Sequence, residues 1–326
     1  MTAPLLEVSH LRVEFPTRRG TLLALDDISF SIAPGEILGV VGESGAGKSL
    51  TGAAIIGLLD PPGRIAAGEI KLAGRRIDNL PYEQMRRVRG REIGAVFQDP
   101  LTSLNPLYTV GRQLVETITT HLDLSQTQAR KRAIELLAST GIPAPEARID
   151  HFPHQFSGGM RQRVVIALAL AATPKLIVAD EPTTALDVSI QAQIIALLKK
   201  VCKEQGAAVM LVTHDMGVIA ETCDRVAVMY AGRIAEIGPV ADVIHRPAHP
   251  YSAGLMGSIP AMDEDREQLL QIDGAMPRLT AIPSGCAFNP RCPRVVDRCR
   301  SERPELAEVG ATRAACWRPV TVEAAR

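Results

Sequence analysis

ILGVVGESGAGKSL, Ile37 to Leu50, decides how the rest of the chain is read. The first five residues, ILGVV, have the length and β-branched content of a buried strand. They run directly into GESGAGKS, Gly42 to Ser49, which satisfies the pattern G-x-x-x-x-G-K-[ST] in the setting it requires, after a strand and before a helix-compatible stretch. In such a loop the backbone N–H groups of Gly42, Glu43, Ser44, Gly45, Ala46 and Gly47 wrap phosphate oxygens. The helix N-terminus behind them adds favourable partial charge. Lys48 is expected to bridge β- and γ-phosphates and Ser49 to ligate magnesium, with Leu50 closing the nucleotide-binding stretch. The bland alternative is a simple glycine turn, and the strand in front of it disfavours that.

Two further segments extend the same chemistry. In LIVADEP, Leu176 to Pro182, four apolar residues end in Asp180 and Glu181, so a buried strand delivers two carboxylates to its C-terminal edge, where ligands of such sheets gather. Asp180 is suited to magnesium and Glu181 to polarising an attacking water. In FSGGMRQR, Phe156 to Arg163, Ser157, Gly158, Gly159 and Met160 precede an apolar run. That segment reads either as an N-cap with a glycine hinge or as a second anion site at a helix N-terminus. A second phosphate cradle is needed only when two copies face each other.

The chain has 326 residues, which suggests roughly two folded units. Lys plus Arg and Asp plus Glu are 36 each, so no global positive field draws nucleic acid, and aromatic residues at 3% leave few base-stacking platforms. Its longest apolar run, Val164 to Ala172, is nine residues against the roughly 20 that span a bilayer. The start, MTAPLLEVSH, lacks the features of a signal peptide, so a cytosolic chain without disulfides is expected.

VMLVT at Val209 to Thr213 and VAVMY at Val226 to Tyr230 continue an α/β pattern. Val188 to Gln205 carries an apolar stripe and stops at Gly206, as a crossover helix would. LEVSHLRVEF and ALDDISFSI predict a small antiparallel β layer. Ser125 and Gln128 predict a capping box within a helical insertion at about 99–165. A turn at Ala231-Gly232 and the strand RIAEI predict a hairpin, with a boundary near residue 238. The fold class read here is α/β: a P-loop NTPase with a mixed sheet, an antiparallel β layer, a helical subdomain and a small Cys-rich extension at 239–326.

GESGAGKS, Gln98, FSGGMRQR, LIVADEP, TTALD and His214 occur in the order found in ATP-binding cassette ATPases, and the chain resembles that family over about residues 5–240. The resemblance implies two subunits closing head to tail around ATP, so that Ser157 and Gly159 serve the partner's nucleotide. It also implies that Phe15 stacks on adenine, Gln98 links magnesium to the transport subunit, Asp187 contacts across the dimer, and His214 contacts the γ-phosphate. HRPAHPYSAGLM, residues 245–256, and GCAFNPRCPRVVDRC resemble the D-type ATPase subunits of bacterial dipeptide and oligopeptide importers. The implied function is ATP hydrolysis that energises peptide import, from a peripheral position on the cytoplasmic face of the inner membrane. The implied partners are a related F-type ATPase, two membrane-spanning permease subunits and a periplasmic peptide-binding protein. An importer of nickel, a heme precursor or a glycoside is the alternative. A nucleic-acid-associated cassette fits less well, because the stretch from Lys48 to Ser157 leaves no room for a large insertion.

Cys286, Cys292, Cys299 and Cys316 supply four thiols in 286–316, with five, six and sixteen residues intervening. Those spacings lack the paired Cys-x-x-Cys knuckles usual for zinc. The family resemblance implies a 4Fe-4S cluster, with zinc or incidental thiols as alternatives. Cys202 and Cys223 read as small core residues.

Overall fold

The structure, a computed structural model, describes residues 3–18, 20–183, 187–258 and 271–320. The chain divides into two compact units, each gathered from separated stretches of sequence. The first takes residues 1–6, 32–37 and 72–212; the second takes 7–31, 38–71 and 213–326.

The second unit opens with strands β1 (Leu6–Thr17) and β2 (Gly20–Ile32). Val8, Leu11 and Val13 of β1 are buried and their neighbours are not; the alternation slips once at His10, whose φ is 50°. β3 (Ile37–Val41) is buried at every position, then comes helix α1 (Lys48–Ile55) and strand β4 (Arg64–Leu72), with β1 lying between β2 and β4 in their sheet.

The first unit holds the short β5 (Arg75–Arg76), α2 (Tyr82–Val88) and β6 (Ile93–Val96). A run of helices follows: α3 (Pro100–Ser103), α4 (Val110–His121), α5 (Gln126–Ser139), α6 (Pro145–Arg148) and α7 (Gly158–Ala169). The predicted capping box is present, Ser125 Oγ accepting from Gln128 N–H while the Gln128 side chain accepts from Ser125 N–H. β7 (Leu176–Asp180) lies between β6 and β8 (Ala208–Val212), parallel to both. The crossover is α8 (Val188–Gln205), which ends where Gly206 takes the left-handed conformation.

The chain then returns to the second unit through α9 (Met216–Thr222), β9 (Arg225–Tyr230) and β10 (Arg233–Pro239). β9 pairs parallel with β3 and antiparallel with β10, across a turn in which Ala231 and Gly232 both have positive φ. Beyond residue 238 lie α10 (Val240–His245), α11 (Pro250–Gly257), α12 (Asp297–Ser301), β11 (Ala307–Val309) and β12 (Thr312–Ala314). β12 pairs with β10, so the tail returns to the sheet of this unit, in the order β11-β12-β10-β9-β3. No helix among the described residues is long and apolar enough to cross a membrane.

Glu236 organises this return. The residue is 0% exposed, and its carboxylate accepts the N–H groups of Ala248 and His249 at 2.8 and 2.9 Å and the Thr312 hydroxyl at 3.1 Å. A desolvated carboxylate is tolerable only with such donors around it. His249, 3% exposed, caps α11 by accepting the Tyr251 N–H on Nδ1, and burial pulls its pKa down to about 4. Glu236→Leu strands the buried N–H groups of Ala248 and His249, while the Thr312 hydroxyl keeps Val309 O at 3.3 Å, and is expected to cost about 2–4 kcal/mol, read as a lower urea midpoint. His249 contributes a pH dependence of known sign: below about pH 6.5 the unfolded chain takes a proton that the folded chain refuses until about pH 4. Stability therefore falls as pH drops through that window, and His249→Asn, whose amide oxygen still accepts the Tyr251 N–H, is expected to flatten the fall in urea melts at pH 7 and pH 5.

Candidate functional site

In the second unit the loop after β3 is bent by three glycines with positive φ, Gly42 (150°), Gly45 (81°) and Gly47 (103°). At Gly42 a Cβ would lie 2.2 Å from the Met229 carbonyl oxygen, so only glycine lets the loop pass this close to β9. Lys48, 6% exposed, turns its ammonium back into the loop, donating to the Gly42 and Glu43 carbonyls at 2.8 and 3.1 Å. Ser49 follows on the exposed side of α1. Phe15 is half-buried on β1 with its ring against Gly63, where a Cβ would meet it at 2.6 Å. His214 is exposed just ahead of α9; its neighbour Thr213 donates its N–H to Val40 O and accepts the Asp215 N–H on its hydroxyl.

In the first unit β7 ends at Asp180, which pairs with Val212, and the next residue, Glu181, donates its N–H to Val212 O with a φ of 46°. The left-handed residue turns the chain out of the sheet and leaves both carboxylates half-buried at the strand's C-terminal edge. Gln98, two residues past β6, donates from Nε2 to Glu181 Oε2 at 3.1 Å. Two positions that the sequence reading assigned to separate tasks thus meet side chain to side chain. Asp187 is the N-cap residue of α8 and is exposed, while residues 184–186 of TTALD lie outside the described residues.

Ser157 caps α7 by accepting the Met160 N–H at 3.3 Å. The two glycines behind it differ. A Cβ on Gly159 would come within 2.8 Å of Ile190 Cγ2 on α8, whereas a Cβ on Gly158 would meet nothing within 4 Å among the described residues. Packing accounts for the first glycine and not for the second.

The four tail cysteines correct an expectation. They do converge, lining one cavity together with His249, Phe288 and Trp317, whose free space of about 10 Å³ is about that of a single water. Burial raises the thiols of Cys286 and Cys292 and pushes Cys316 to about 11, so these side chains are held as neutral thiols. Among the described residues no group of three or more His, Cys, Asp or Glu side chains is placed to hold a metal ion. The iron-sulfur and zinc assignments for Cys286, Cys292, Cys299 and Cys316 are therefore not supported.

The tail supplies site residues that sequence reasoning missed. The Tyr251 hydroxyl accepts the Glu43 N–H at 2.9 Å, and Arg291 donates to both Glu43 carboxylate oxygens at 2.9 and 3.1 Å. Met276 sits beside Gly45, where a Cβ would meet its Cε at 3.1 Å. The hydrogen bonds to Tyr251 and Arg291 span 208 and 248 positions of sequence, and the one local signal was the His-Pro-Tyr motif around Tyr251.

A family model described as "ABC transporter" matches residues 25–184, and one described as "Oligopeptide/dipeptide transporter, C-terminal region" matches residues 235–299. The chain is 46% identical over 316 residues to the oligopeptide transport ATP-binding protein OppD of Salmonella typhimurium, covering 97% of this chain and 94% of that protein. It is also 46% identical over 302 residues to the dipeptide transport ATP-binding protein DppD of Escherichia coli, covering 93% and 92%. Among solved structures, the dimeric post-hydrolysis state of the ATP-binding cassette MJ0796 bound to ADP and Pi matches with a TM-score of 0.65 at 30% identity, over 72% of this chain and 98% of that one.

The unlike glycines give a test. Gly159→Ala is expected to cost about 1–3 kcal/mol, because Ile190 must move, while Gly158→Ala leaves the urea midpoint at or slightly above that of the parent.

Proposed function

This chain belongs to the ATP-binding cassette transporter ATPases, and from that footing we propose that it binds and hydrolyses ATP to drive the import of dipeptides or oligopeptides. The observation that carries the peptide reading is the 46% identity to oligopeptide and dipeptide transport ATP-binding proteins along nearly the whole chain, the tail included.

In this reading residues 1–238 are the nucleotide-binding cassette and 239–326 the region particular to peptide importers. Phe15 stacks on adenine, and the loop Gly42–Leu50 takes the phosphates. Lys48, which holds the Gly42 and Glu43 carbonyls, transfers its hydrogen bonds to β- and γ-phosphate oxygens. The Ser49 hydroxyl and Asp180 carboxylate, with Gln98, are oxygen donors of the kind that hold Mg2+. That ion, when bound, offsets phosphate charge. Glu181 polarises the attacking water, Gln98 steadies its carboxylate through the 3.1 Å hydrogen bond, and His214 contacts the γ-phosphate.

Ser157, Gly158, Gly159 and Met160 face the nucleotide of a partner ATPase, with Asp187 contacting across the pair. The open space around Gly158 supports this, since nothing among the described residues requires a glycine there. The dimeric cassette MJ0796, bound to ADP and Pi, supports the pairing. The partners are a related second ATPase, two permease subunits and a periplasmic binding protein, and the chain works on the cytoplasmic face of the inner membrane.

Reconstitution with its permease and binding-protein partners in vesicles tests the reading. Peptide-loaded binding protein is expected to stimulate ATP hydrolysis; stimulation by nickel, a heme precursor or a glycoside instead would replace the peptide assignment. In the same assembly Glu181→Gln is expected to slow turnover by about 10²-fold or more while ATP still binds, as measured by nucleotide retention and phosphate release.

A further inference from the structure

Glu43 poses an electrostatic difficulty. It is the second residue of a loop built to attract phosphate, and a carboxylate there opposes the charge of the ligand. Lys48 does not answer it, because the ammonium is directed at the Glu43 main-chain carbonyl and at Gly42 O. What meets the Glu43 side chain is Arg291, whose own side chain is only 7% exposed.

The Arg291 guanidinium is held from several sides. Nη1 donates to both Glu43 oxygens, and a 3.4 Å contact joins it to the Tyr230 hydroxyl. Nε donates to Asp273 O at 2.8 Å, and Nη2 to Ile272 O and Gly274 O at 3.2 and 3.3 Å. Its carbon lies 5.9 Å from the ring centres of Tyr230 and Phe288. A planar fork so fully engaged is pre-organised, and its position does not depend on Glu43 alone. Tyr251, 0% exposed and itself packed against Tyr230 and Phe288, fixes the Glu43 backbone by accepting its N–H.

We propose that Arg291 is a positioning residue for nucleotide binding: the tail neutralises the Glu43 carboxylate and fixes the first turn of the phosphate loop, so that ATP affinity is set in part from outside the cassette. This rests on the reading of Gly42–Ser49 as the ATP site. Its consequence is a specific electrostatic coupling. Without Arg291 the unpaired Glu43 charge repels the triphosphate, and removing that charge as well returns the affinity.

The test measures ATP binding by the full chain and steady-state hydrolysis by the assembled transporter, with folding checked by thermal melts. Arg291→Met is expected to raise Kd and KM for ATP about tenfold with kcat within about twofold, and the defect shrinks as salt rises. Adding Glu43→Gln is expected to bring KM back to within about threefold of the parent, which a merely structural role for Arg291 does not produce. An unchanged KM, tighter ATP binding, or a double variant no better than Arg291→Met would overturn the proposal; tighter binding would make the tail a cover over the loop. Arg291→Lys keeps the charge and answers the same question if Arg291→Met does not fold: a KM within about threefold of the parent supports neutralisation, and a tenfold rise refutes it. Failure of the parent chain to bind ATP at all would instead remove the ATP-site reading, a distinct result.

Discussion

A buried ammonium has to be hydrogen-bonded, and Lys48, withdrawn from water, donates to the Gly42 and Glu43 carbonyls of its own loop. That constraint shapes what surrounds it. The loop must curl far enough for Gly42 and Glu43 to turn their oxygens inward, which requires glycine at the three positive-φ positions. β9 must come close enough for the Met229 carbonyl to fill the place of a side chain at Gly42. The loop in this state coordinates the Lys48 ammonium, and on the proposed ATP reading phosphate oxygens would replace those carbonyls. Exchanging one set of acceptors for another keeps the charge satisfied throughout.

Features governed by neighbours in sequence were legible before the structure. The strand-loop-helix at Ile37–Ile55, the Ser125 capping box, the stop of α8 at Gly206 and the Ala231-Gly232 hairpin each depend on dihedral preferences or hydrogen bonds within a few residues. The Arg291–Glu43 pair and the Tyr251–Glu43 bond were not, because no periodicity or capping signal links residues more than two hundred positions apart. The Gln98–Glu181 bond was hidden for another reason: each residue already had a role, one pointing at magnesium and the other at an attacking water rather than at each other. With the cysteines, the expected metal cluster came from family resemblance and not from spacing, and neither carried information about how closely the thiols are packed or the cost of ionising Cys316 there.

Directional polar bonds attach the tail. Glu236 gathers Ala248, His249 and Thr312 from two separate stretches of chain around one carboxylate on β10. His249 then starts α11, which carries Tyr251 to the phosphate loop. A chain of directional contacts therefore runs from the sheet through the His-Pro-Tyr turn to Glu43, and its geometry is specified by hydrogen bonds that a shifted register would break.

Gly158 carries a genetic consequence. Because its surroundings among the described residues are empty, an altered side chain there is expected to escape the quality control that removes misfolded subunits. On the proposed pairing, such a subunit would still assemble and would obstruct the nucleotide held by its partner rather than its own. The altered allele would then behave as dominant in a cell that also makes the normal chain, since every complex that incorporates it is spoiled and the membrane partners it occupies are withdrawn from use.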